Sequence, residues 1–268
     1  MISIVLVGAS GRMGQAIERA AGDAPDLTVV ARVDEHGAFR AEAVGAKHGV
    51  AGYESVPAAR LADVAHPGDV MVEFSTPEGF RVAAEVCRSL RLPLVSGTTG
   101  LTAEDERLIG SLAASAPVLR ASNFSLGVLA LRRALGAALA SLPDAWDIEI
   151  VERHHRGKVD SPSGTALTLA RDAAGARGWG EDVLRHGRQG RSGPRPQREI
   201  GVHAVRGGGW VGDHAVLLAG PGESLELRHV ADDRLAFAHG ALAAARFAAA
   251  AKPGRYALED VLPATVRG

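Results

Sequence analysis

The fold is decided by residues 2–14, which read Ile2-Ser3-Ile4-Val5-Leu6-Val7-Gly8-Ala9-Ser10-Gly11-Arg12-Met13-Gly14. The apolar run before Gly8 predicts a strand that is buried on both faces, and the residues from Met13 to Ala21 predict a helix. Glycines between a strand and a helix let the backbone approach a pyrophosphate at the positive end of the helix. A plain tight turn would use the same glycines, so the motif alone leaves both interpretations open.

The same pattern continues through the first part of the chain. Short apolar runs at 27–33, 70–74, 92–96 and 117–119 alternate with helical segments at 80–90 and 102–114. This alternation is typical of a parallel sheet covered by crossover helices. We therefore expect a Rossmann-type dinucleotide-binding domain over residues 1–124.

The pattern changes after Asn123. A long helix is predicted over 125–142, ended by Pro143, and polar and apolar residues then alternate at 146–153, 200–205, 210–218 and 224–230. Such alternation is typical of half-buried antiparallel strands, whereas residues 185–198 are predicted to form a long loop. The expected second domain, residues 125–235, is α+β with a mixed, mostly antiparallel sheet that serves substrate binding and oligomerisation.

Composition excludes several partners. Lys plus Arg number 30 against 31 for Asp plus Glu, so no overall field attracts nucleic acid or an anionic membrane. The single cysteine, Cys87, has no disulfide partner, and the first apolar run is too short for a signal peptide. His239, Gly240 and Arg246 interrupt the alanine-rich segment 235–251, so no bilayer span is predicted. We expect a cytoplasmic protein without nucleic-acid or membrane partners.

An acidic residue ends the second predicted strand. Asp34 lies about 20 residues past the glycine turn, where a carboxylate accepts hydrogen bonds from the adenosine ribose hydroxyls of a dinucleotide. The carboxylate would repel the additional phosphate of NADPH and so favours NADH, although Arg32 and His36 nearby could offset this. A solvated strand end is the alternative interpretation.

Two further loops follow predicted strands and are expected at the same sheet edge. They are Gly97-Thr98-Thr99-Gly100 and Ala121-Ser122-Asn123-Phe124. Glycines and small hydroxyls suit a nicotinamide ribose or carboxamide, and the second loop is also a candidate hinge. Each loop on its own is more typical of an ordinary turn than of a binding site.

The chemistry is concentrated in residues 149–166, Glu149-Ile150-Val151-Glu152-Arg153-His154-His155-Arg156-Gly157-Lys158-Val159-Asp160-Ser161-Pro162-Ser163-Gly164-Thr165-Ala166. Backbone N–H groups around Gly164 and Thr165 would begin a helix and bind a carboxylate, with Lys158 adding a positive charge. His154 or His155 could deliver a proton after hydride transfer. No further ligands accompany the two histidines, so no metal site is predicted. A solvated basic loop before an N-cap at Ser163 is the alternative.

The run from Glu152 to Ala166 resembles the signature of the dihydrodipicolinate reductase family. The segments 8–13, 74–78, 97–100, 123–125 and 211–214 also fit that family in order, so the resemblance covers essentially the whole chain. One departure is Glu35, because members that favour NADPH often carry a basic residue directly after the ribose-binding acid. This departure strengthens the preference for NADH.

The resemblance implies an activity and a set of roles. The reaction is the reduction of a cyclic, dicarboxylated imine in lysine and diaminopimelate biosynthesis, with His154 as general acid and Lys158 assisting. His155, Gly164 and Thr165 would hold the substrate carboxylates. The implied cofactor-binding residues are Gly8, Ala9, Ser10, Gly11, Arg12, Met13, Asp34, Gly97, Thr98, Thr99, Ala121, Ser122, Asn123 and Phe124. Family resemblance also implies a homotetramer joined through second-domain sheets, and a C-terminal segment, 236–268, that returns to the first domain.

Three other functions compete with this one. Semialdehyde dehydrogenases need a nucleophilic cysteine, and Cys87 lies inside a predicted helix where burial would leave it inert. Sugar oxidoreductases of similar architecture use a Glu-Lys-Pro run, which this sequence lacks. A dinucleotide sensor without turnover would not need His154 and Lys158 beside an anion-binding helix start.

Overall fold

The computed structural model describes residues 1–35, 39–40, 53–54 and 56–262. Its strands and helices follow in chain order. The strands are β1 (Ile2–Val7), β2 (Leu27–Asp34), β3 (Phe39–Arg40), β4 (Tyr53–Glu54), β5 (Val56–Pro57), β6 (Val70–Glu73), β7 (Leu94–Ser96), β8 (Pro117–Arg120), β9 (Asp147–His154), β10 (Leu184–His186), β11 (Ile200–Arg206), β12 (Gly212–Gly220), β13 (Glu223–Ala231) and β14 (Gly254–Tyr256). The helices are α1 (Arg12–Gly22), α2 (Leu61–Val64), α3 (Pro77–Leu90), α4 (Ala103–Ala113), α5 (Leu126–Ser141), α6 (Gly164–Ala176) and α7 (Leu235–Ala250).

The chain divides into two compact units. The first comprises the described residues of Met1–Ser125 and Arg234–Gly268, and the second is Leu126–Asp233. Each unit contains its own sheet, so each has its own core.

The sheet of the first unit is parallel throughout, with the strand order β14-β8-β7-β6-β1-β2-β5. Strand β1 lies between β2 and β6 because the chain runs first to β2 on one side and then crosses to β6 on the other. Helices α3 and α4 pack on one face, whereas α1 and α7 pack on the other. The predicted Rossmann-type domain is confirmed, and its ligand edge is where the strand order reverses.

Local signals set the helix ends in this unit. Helix α3 begins three residues before the predicted start at Phe80, because Thr76 caps it by accepting a hydrogen bond from Gly79 N at 3.2 Å and Pro77 occupies its first position. Helix α4 begins as predicted after Thr102, which forms a capping box with Asp105.

The C-terminal elements complete the first unit. Helix α7 is continuous through His239, Gly240 and Arg246, the residues that interrupt the apolar run of the sequence. Strand β14, which sequence analysis missed, pairs with β8 at one sheet edge. Within the described residues, no helix combines the length and apolar character needed to cross a bilayer.

The second unit has a mixed sheet in the order β10-β11-β9-β12-β13, with α5 and α6 packed on one face. The α+β class and the mixed sheet are confirmed. Strand β12 pairs antiparallel with β9 and with β13, and its pairing with β13 is the longest of the sheet, whereas β11 pairs in parallel with both β10 and β9. Alternating polarity reports that one face of a strand is buried and carries no information about the direction of its partner.

The predicted loop at 185–198 begins later than expected, because Arg185 and His186 belong to β10. Its arginines attach it to the sheet: Arg188 and Arg195 donate to the Glu149 carboxylate at 2.6 and 2.9 Å. Burial opposes ionisation of Glu149, but hydrogen bonds from Arg188, His203 and Arg195 outweigh it and lower its pKa to about 2.

Candidate active site

The glycine turn after β1 has a conformation that only glycine fits. Gly8 has φ +81°, and a Cβ at this position would lie 2.3 Å from Phe74 O. A Cβ at Gly14 would lie 2.3 Å from Gly8 O, so this glycine permits α1 to approach the turn closely. Gly11 caps α1 without a side-chain hydrogen bond, and Arg12 begins the helix. The predicted turn residues, Gly8, Ala9, Ser10, Gly11, Arg12 and Met13, therefore occupy one strand-to-helix connection.

Asp34 ends β2 directly beside this turn. Its Oδ1 accepts hydrogen bonds from Ser10 N at 2.9 Å and from Ser10 Oγ at 2.7 Å. Its Oδ2 is buried and has no hydrogen-bond partner among the residues that the structure describes. A buried carboxylate oxygen needs a donor, and a ribose hydroxyl is a suitable one. The turn and Asp34 together fit the adenosine half of a dinucleotide.

The basic residues near Asp34 bear on the choice of dinucleotide. Arg32 is already paired with the carboxylate of Glu18, a residue that is almost completely buried. Glu35 is exposed next to Asp34, and His36 lies outside the described residues. Asp34 and Glu35 are therefore two adjacent acidic residues at the end of β2.

The loops after β6 and β7 meet at the carboxylate of Glu73, which sequence analysis missed. The side chain is fully buried and accepts hydrogen bonds from Ser75, Ser96 and Thr98. A charged residue ending an apolar strand run is the signal that could have drawn attention to it.

Aromatic packing joins the third loop to the first two. The rings of Phe74 and Phe124 lie edge to face with centroids 5.0 Å apart, and a Cβ at Gly97 would lie 2.2 Å from the Phe74 ring. Ala121 N donates to Ser96 O at 3.3 Å, and Asn123 Oδ1 accepts from Ser125 N at 2.8 Å. The predicted loop residues lie at the carboxyl edge of the same parallel sheet; they are Gly97, Thr98, Thr99, Ala121, Ser122, Asn123 and Phe124.

The second unit positions His154 at the end of β9. Its side chain is mostly buried, and Nδ1 lies 2.7 Å from Oε2 of the fully buried Glu152. Arg206 donates to both oxygens of the same carboxylate at 2.7 Å, and Ser163 N donates to Oε1 at 2.9 Å. Glu152 thus connects the histidine to the residue that caps α6.

The surroundings of His154 set its protonation. Burial lowers the pKa of His154 below its ordinary value, while the Glu152 carboxylate acts in the opposite direction by raising it. Burial likewise opposes ionisation of Glu152, yet hydrogen bonds from Arg206 and His154 hold its pKa below the usual range. The imidazolium of His154 is therefore stabilised by an ionised partner and destabilised by its partly dry environment.

A second buried imidazole lies beside the first. The ring centroids of His154 and His214 are 5.1 Å apart, and His214 Nε2 lies 3.1 Å from Ser163 Oγ. Burial, together with the nearby His154, lowers the pKa of His214 to about 4. His214 is consequently neutral near pH 7, and sequence analysis had assigned it no role.

The predicted anion-binding residues surround the start of α6. Ser163 caps the helix by accepting a hydrogen bond from Ala166 N at 3.2 Å, and Gly164 and Thr165 form its first turn. Lys158 Nζ lies 2.8 Å from Asp160 Oδ1, a pairing that the sequence prediction did not include. His155 O accepts a hydrogen bond from Lys158 N at 3.1 Å, which fixes the loop between them. The second unit therefore brings His154, His155, Lys158, Gly164 and Thr165 into one strand-to-helix connection.

The described residues give little support for a nucleophilic cysteine or a metal site. Cys87 is fully buried within α3, and burial raises the pKa of its thiol, which leaves little thiolate for nucleophilic attack. In the part of the chain that the structure describes, no group of three or more His, Cys, Asp or Glu residues could hold a metal ion.

Comparison with known proteins matches both units. Residues 2–124 match the family model described as dihydrodipicolinate reductase, N-terminus, and residues 127–262 match its C-terminus model. A protein of Rubrobacter xylanophilus named 4-hydroxy-tetrahydrodipicolinate reductase is 45% identical, with 98% of each chain covered. A protein of the same name from Akkermansia muciniphila is 43% identical, again with 98% of each chain covered.

A solved structure shares the fold. It is a dipicolinate-bound dihydrodipicolinate reductase from Paenisporosarcina sp. TG-14, with a TM-score of 0.71 at 24% identity. The alignment covers 98% of this chain and 100% of that one.

Proposed function

The chain belongs to the dihydrodipicolinate reductase family, and we propose that it reduces 4-hydroxy-tetrahydrodipicolinate to tetrahydrodipicolinate in lysine and diaminopimelate biosynthesis. One substrate molecule, one NAD(P)H and one proton give the product, NAD(P)⁺ and water. Water leaves as the C4 hydroxyl group together with one hydrogen of the neighbouring ring carbon. Hydride then adds to C4, and a proton adds to that neighbouring carbon. Relatives at 38–45% identity carry the name of this activity, which supports the assignment.

The arrangement around Glu152 supports this proposal most directly. Its carboxylate accepts from both His154 Nδ1 and Ser163 N, so the candidate proton donor is held beside the start of α6. A helix N-terminus binds carboxylates, and a substrate with two carboxylates needs such a site. The same connection therefore supplies a proton donor and an anion site.

We assign the proton transfer to His154. Because Nδ1 donates to Glu152, the imidazolium would release its second proton from Nε2. A Cβ at Gly212 would lie only 3.3 Å from His154 Nε2, so glycine at this position leaves room at that nitrogen. Lys158 adds positive charge that stabilises the electron-rich ring during protonation.

The substrate carboxylates are assigned to His155, Gly164 and Thr165. The last two lie in the first turn of α6, where backbone N–H groups and the helix dipole both favour an anion. Lys158 lies six residues before Gly164 in the sequence, and its charge is partly neutralised by Asp160. Its attraction for the substrate would grow when a substrate carboxylate replaces Asp160 as its partner.

We assign NADH as the preferred cofactor, with NADPH as the alternative. The bound nicotinamide supplies the hydride. Asp34 Oδ2 would accept a ribose hydroxyl, and the turn from Gly8 to Met13 would hold the pyrophosphate. Arg32 is committed to Glu18, which makes it a poor partner for the additional phosphate of NADPH.

We further propose a homotetramer that forms through the sheets of the second unit. Helices α5 and α6 cover one face of the sheet, and the other face presents Val205 and Val230, both of which are exposed. Light scattering on the purified protein tests this assembly, and a monomer at micromolar concentration would contradict it.

The test of the proposed function is oxidation of NADH, and separately of NADPH, followed at 340 nm. The substrate is generated in place from pyruvate and aspartate semialdehyde by the preceding synthase. His154→Ala and Lys158→Ala should each reduce kcat/KM by about 10²-fold or more, whereas the exposed control His239→Ala should not. A folded, dinucleotide-binding wild type that oxidises neither cofactor would overturn the reductase assignment and favour a sensor.

A further inference from the structure

Glu73 occupies a special place in the parallel sheet. It ends β6, and its neighbours in register are Val7, the residue before the glycine turn, and Ser96, the last residue of β7. The backbone continues this alignment beyond the strands, since Phe74 N donates to Val7 O at 3.0 Å and Gly97 N donates to Glu73 O at 2.9 Å. Glu73 therefore lies between two of the loops assigned to the cofactor.

Its carboxylate is surrounded by donors. Oε1 accepts from Ser75 N at 2.8 Å, Ser75 Oγ at 2.5 Å and Thr98 Oγ1 at 2.7 Å. Oε2 accepts from Ser96 Oγ at 2.7 Å. An ionised carboxylate only accepts hydrogen bonds, so this set of four donors matches the charged form. Glu73 has 0% exposure and no ion-pair partner among the described residues, so these hydrogen bonds are what compensates its burial.

The four donors connect two separate loops. Ser75 precedes α3, whereas Thr98 follows β7, and Ser75 N also lies 3.1 Å from Thr98 Oγ1. Ser96 Oγ additionally receives a weak hydrogen bond from Thr98 N at 3.4 Å. Ser75 Oγ, Ser96 Oγ and Thr98 Oγ1 all donate to the Glu73 carboxylate, so loss of the carboxylate would weaken the connection between the two loops, which the hydrogen bond from Ser75 N to Thr98 Oγ1 would still join.

Sheet order indicates which part of the dinucleotide these loops would meet. Asp34 on β2 is assigned to the adenosine ribose, and the turn after β1 to the pyrophosphate. The next strand in the same direction is β6, followed by β7. A dinucleotide that crosses the sheet edge in this order would place its nicotinamide half at the loops that Glu73 joins.

We propose that Glu73 is a positioning residue that holds the loops 74–76 and 97–100 in the geometry required for the nicotinamide half of the cofactor. This inference rests on the proposed function, because it assumes a dinucleotide at this edge. Glu73 acts through Ser75 and Thr98. Hydrogen bonds to a charged group stabilise loop geometry more than neutral ones, which is why a buried carboxylate suits this role.

The test compares Glu73→Gln with wild type. The amide keeps the size of the side chain but replaces one acceptor oxygen with a donor that faces other donors. The Kd for NADH, measured by titration of the full chain, should rise about tenfold, while the KM for the dicarboxylate substrate stays within about twofold of wild type. Glu85→Gln makes the same chemical change at an exposed position on α3 and should alter neither value.

A double-mutant cycle shows whether Glu73 acts through Thr98. Thr98→Val removes the hydroxyl group at nearly constant shape and should also raise the Kd for NADH. If Thr98 transmits the effect, the Kd for NADH of the double variant should lie within about twofold of the higher of the two single-variant values. If the two substitutions instead raise the Kd for NADH by factors that multiply in the double variant, Glu73 does not act through Thr98.

Several results would overturn the proposal. They are an unchanged Kd for NADH in Glu73→Gln, or equal losses of affinity for cofactor and substrate, which a general loss of fold would cause. If Glu73→Gln does not fold, Ser96→Ala decides, because it removes one donor and no charge. Ser96→Ala should raise the Kd for NADH about threefold, and an unchanged Kd would contradict the proposal. Failure of the proposed function is distinguishable, because it appears as absent turnover in wild type.

Discussion

Glu152 and His154 form a buried hydrogen bond in which Nδ1 of the ring lies 2.7 Å from Oε2 of the carboxylate. The carboxylate raises the pKa of the imidazole against the lowering effect of burial, which is the larger of the two. The pair therefore adjusts how much of the proton donor is charged near neutrality.

The first prediction concerns pH. A general acid must be protonated, so kcat/KM should fall as pH rises through the pKa of His154. Glu152→Gln keeps an acceptor for Nδ1 but removes the charge, so the pKa of His154 falls and the descending limb should move to lower pH. Profiles from pH 5 to 9 measure this, with the exposed Glu223→Gln as control. A limb that stays in place, or moves to higher pH, would contradict the assignment of His154.

The second prediction concerns the unpaired oxygen of Asp34. Asp34→Asn should raise the KM for NADH about tenfold, because a charged acceptor for the ribose hydroxyls is lost. The KM for NADPH should change less, since the same substitution removes repulsion of its phosphate. Initial-rate kinetics with both cofactors test this, and the exposed Asp63→Asn should leave the ratio of the two KM values unaltered. An equal increase for both cofactors would argue against a ribose contact.

The third prediction concerns close packing at Gly240. A Cβ there would lie 1.7 Å from Phe124 O, so α7 approaches the loop after β8 at backbone distance. Gly240→Ala should destabilise the protein by about 1–3 kcal/mol and raise the KM for NADH, because Phe124 must move. Gly110→Ala in α4 meets no atom within 4 Å and should instead stabilise by about 1 kcal/mol. Thermal unfolding distinguishes them, and equal melting temperatures would contradict the packing argument.

The fourth prediction concerns stability at low pH. Burial lowers the pKa of His214 from 6.5 to about 4, so below pH 6.5 the unfolded chain binds a proton more readily than the folded one. His214 should therefore leave the free energy of unfolding unchanged above pH 6.5. As the pH decreases below that value, the free energy of unfolding should fall, and at pH 5 the loss due to His214 should be about 2 kcal/mol. Urea unfolding at pH 8 and pH 5 should show a smaller loss for His214→Gln than for wild type. The exposed His239→Gln should lose as much as wild type, and identical losses in all three proteins would refute the effect.

The sequence predicts the first unit well because its signals are local. The buried strands contain short apolar runs, as at residues 70–72 of β6, and connections carry their own turn or cap residues, such as Gly8 and Thr102. The pairing partners in the second unit could not be predicted in the same way. Whether β11 lies parallel to β9 depends on the path of the long connection between them, and local polarity does not report it.

Some candidate site residues are close together in the sequence, whereas others are brought together only by the fold. His154, Lys158 and Gly164 fall within one short segment, so their proximity follows from the sequence. Glu73, Arg206 and His214 act through partners far away in the chain: Arg206 is 54 residues from Glu152, and His214 is 51 residues from Ser163. Only the sheet register brings such pairs together, and the register was not available from the sequence.

Hydride transfer to ring C4 is tested with NADH that carries deuterium at the transferable position of its nicotinamide ring. The substrate is generated in place by the preceding synthase, and the product is analysed by mass spectrometry and NMR. We expect one deuterium at ring C4 of tetrahydrodipicolinate for each NADH oxidised. Unlabelled product, or labelled NADH that persists in the presence of folded enzyme and substrate, would contradict it.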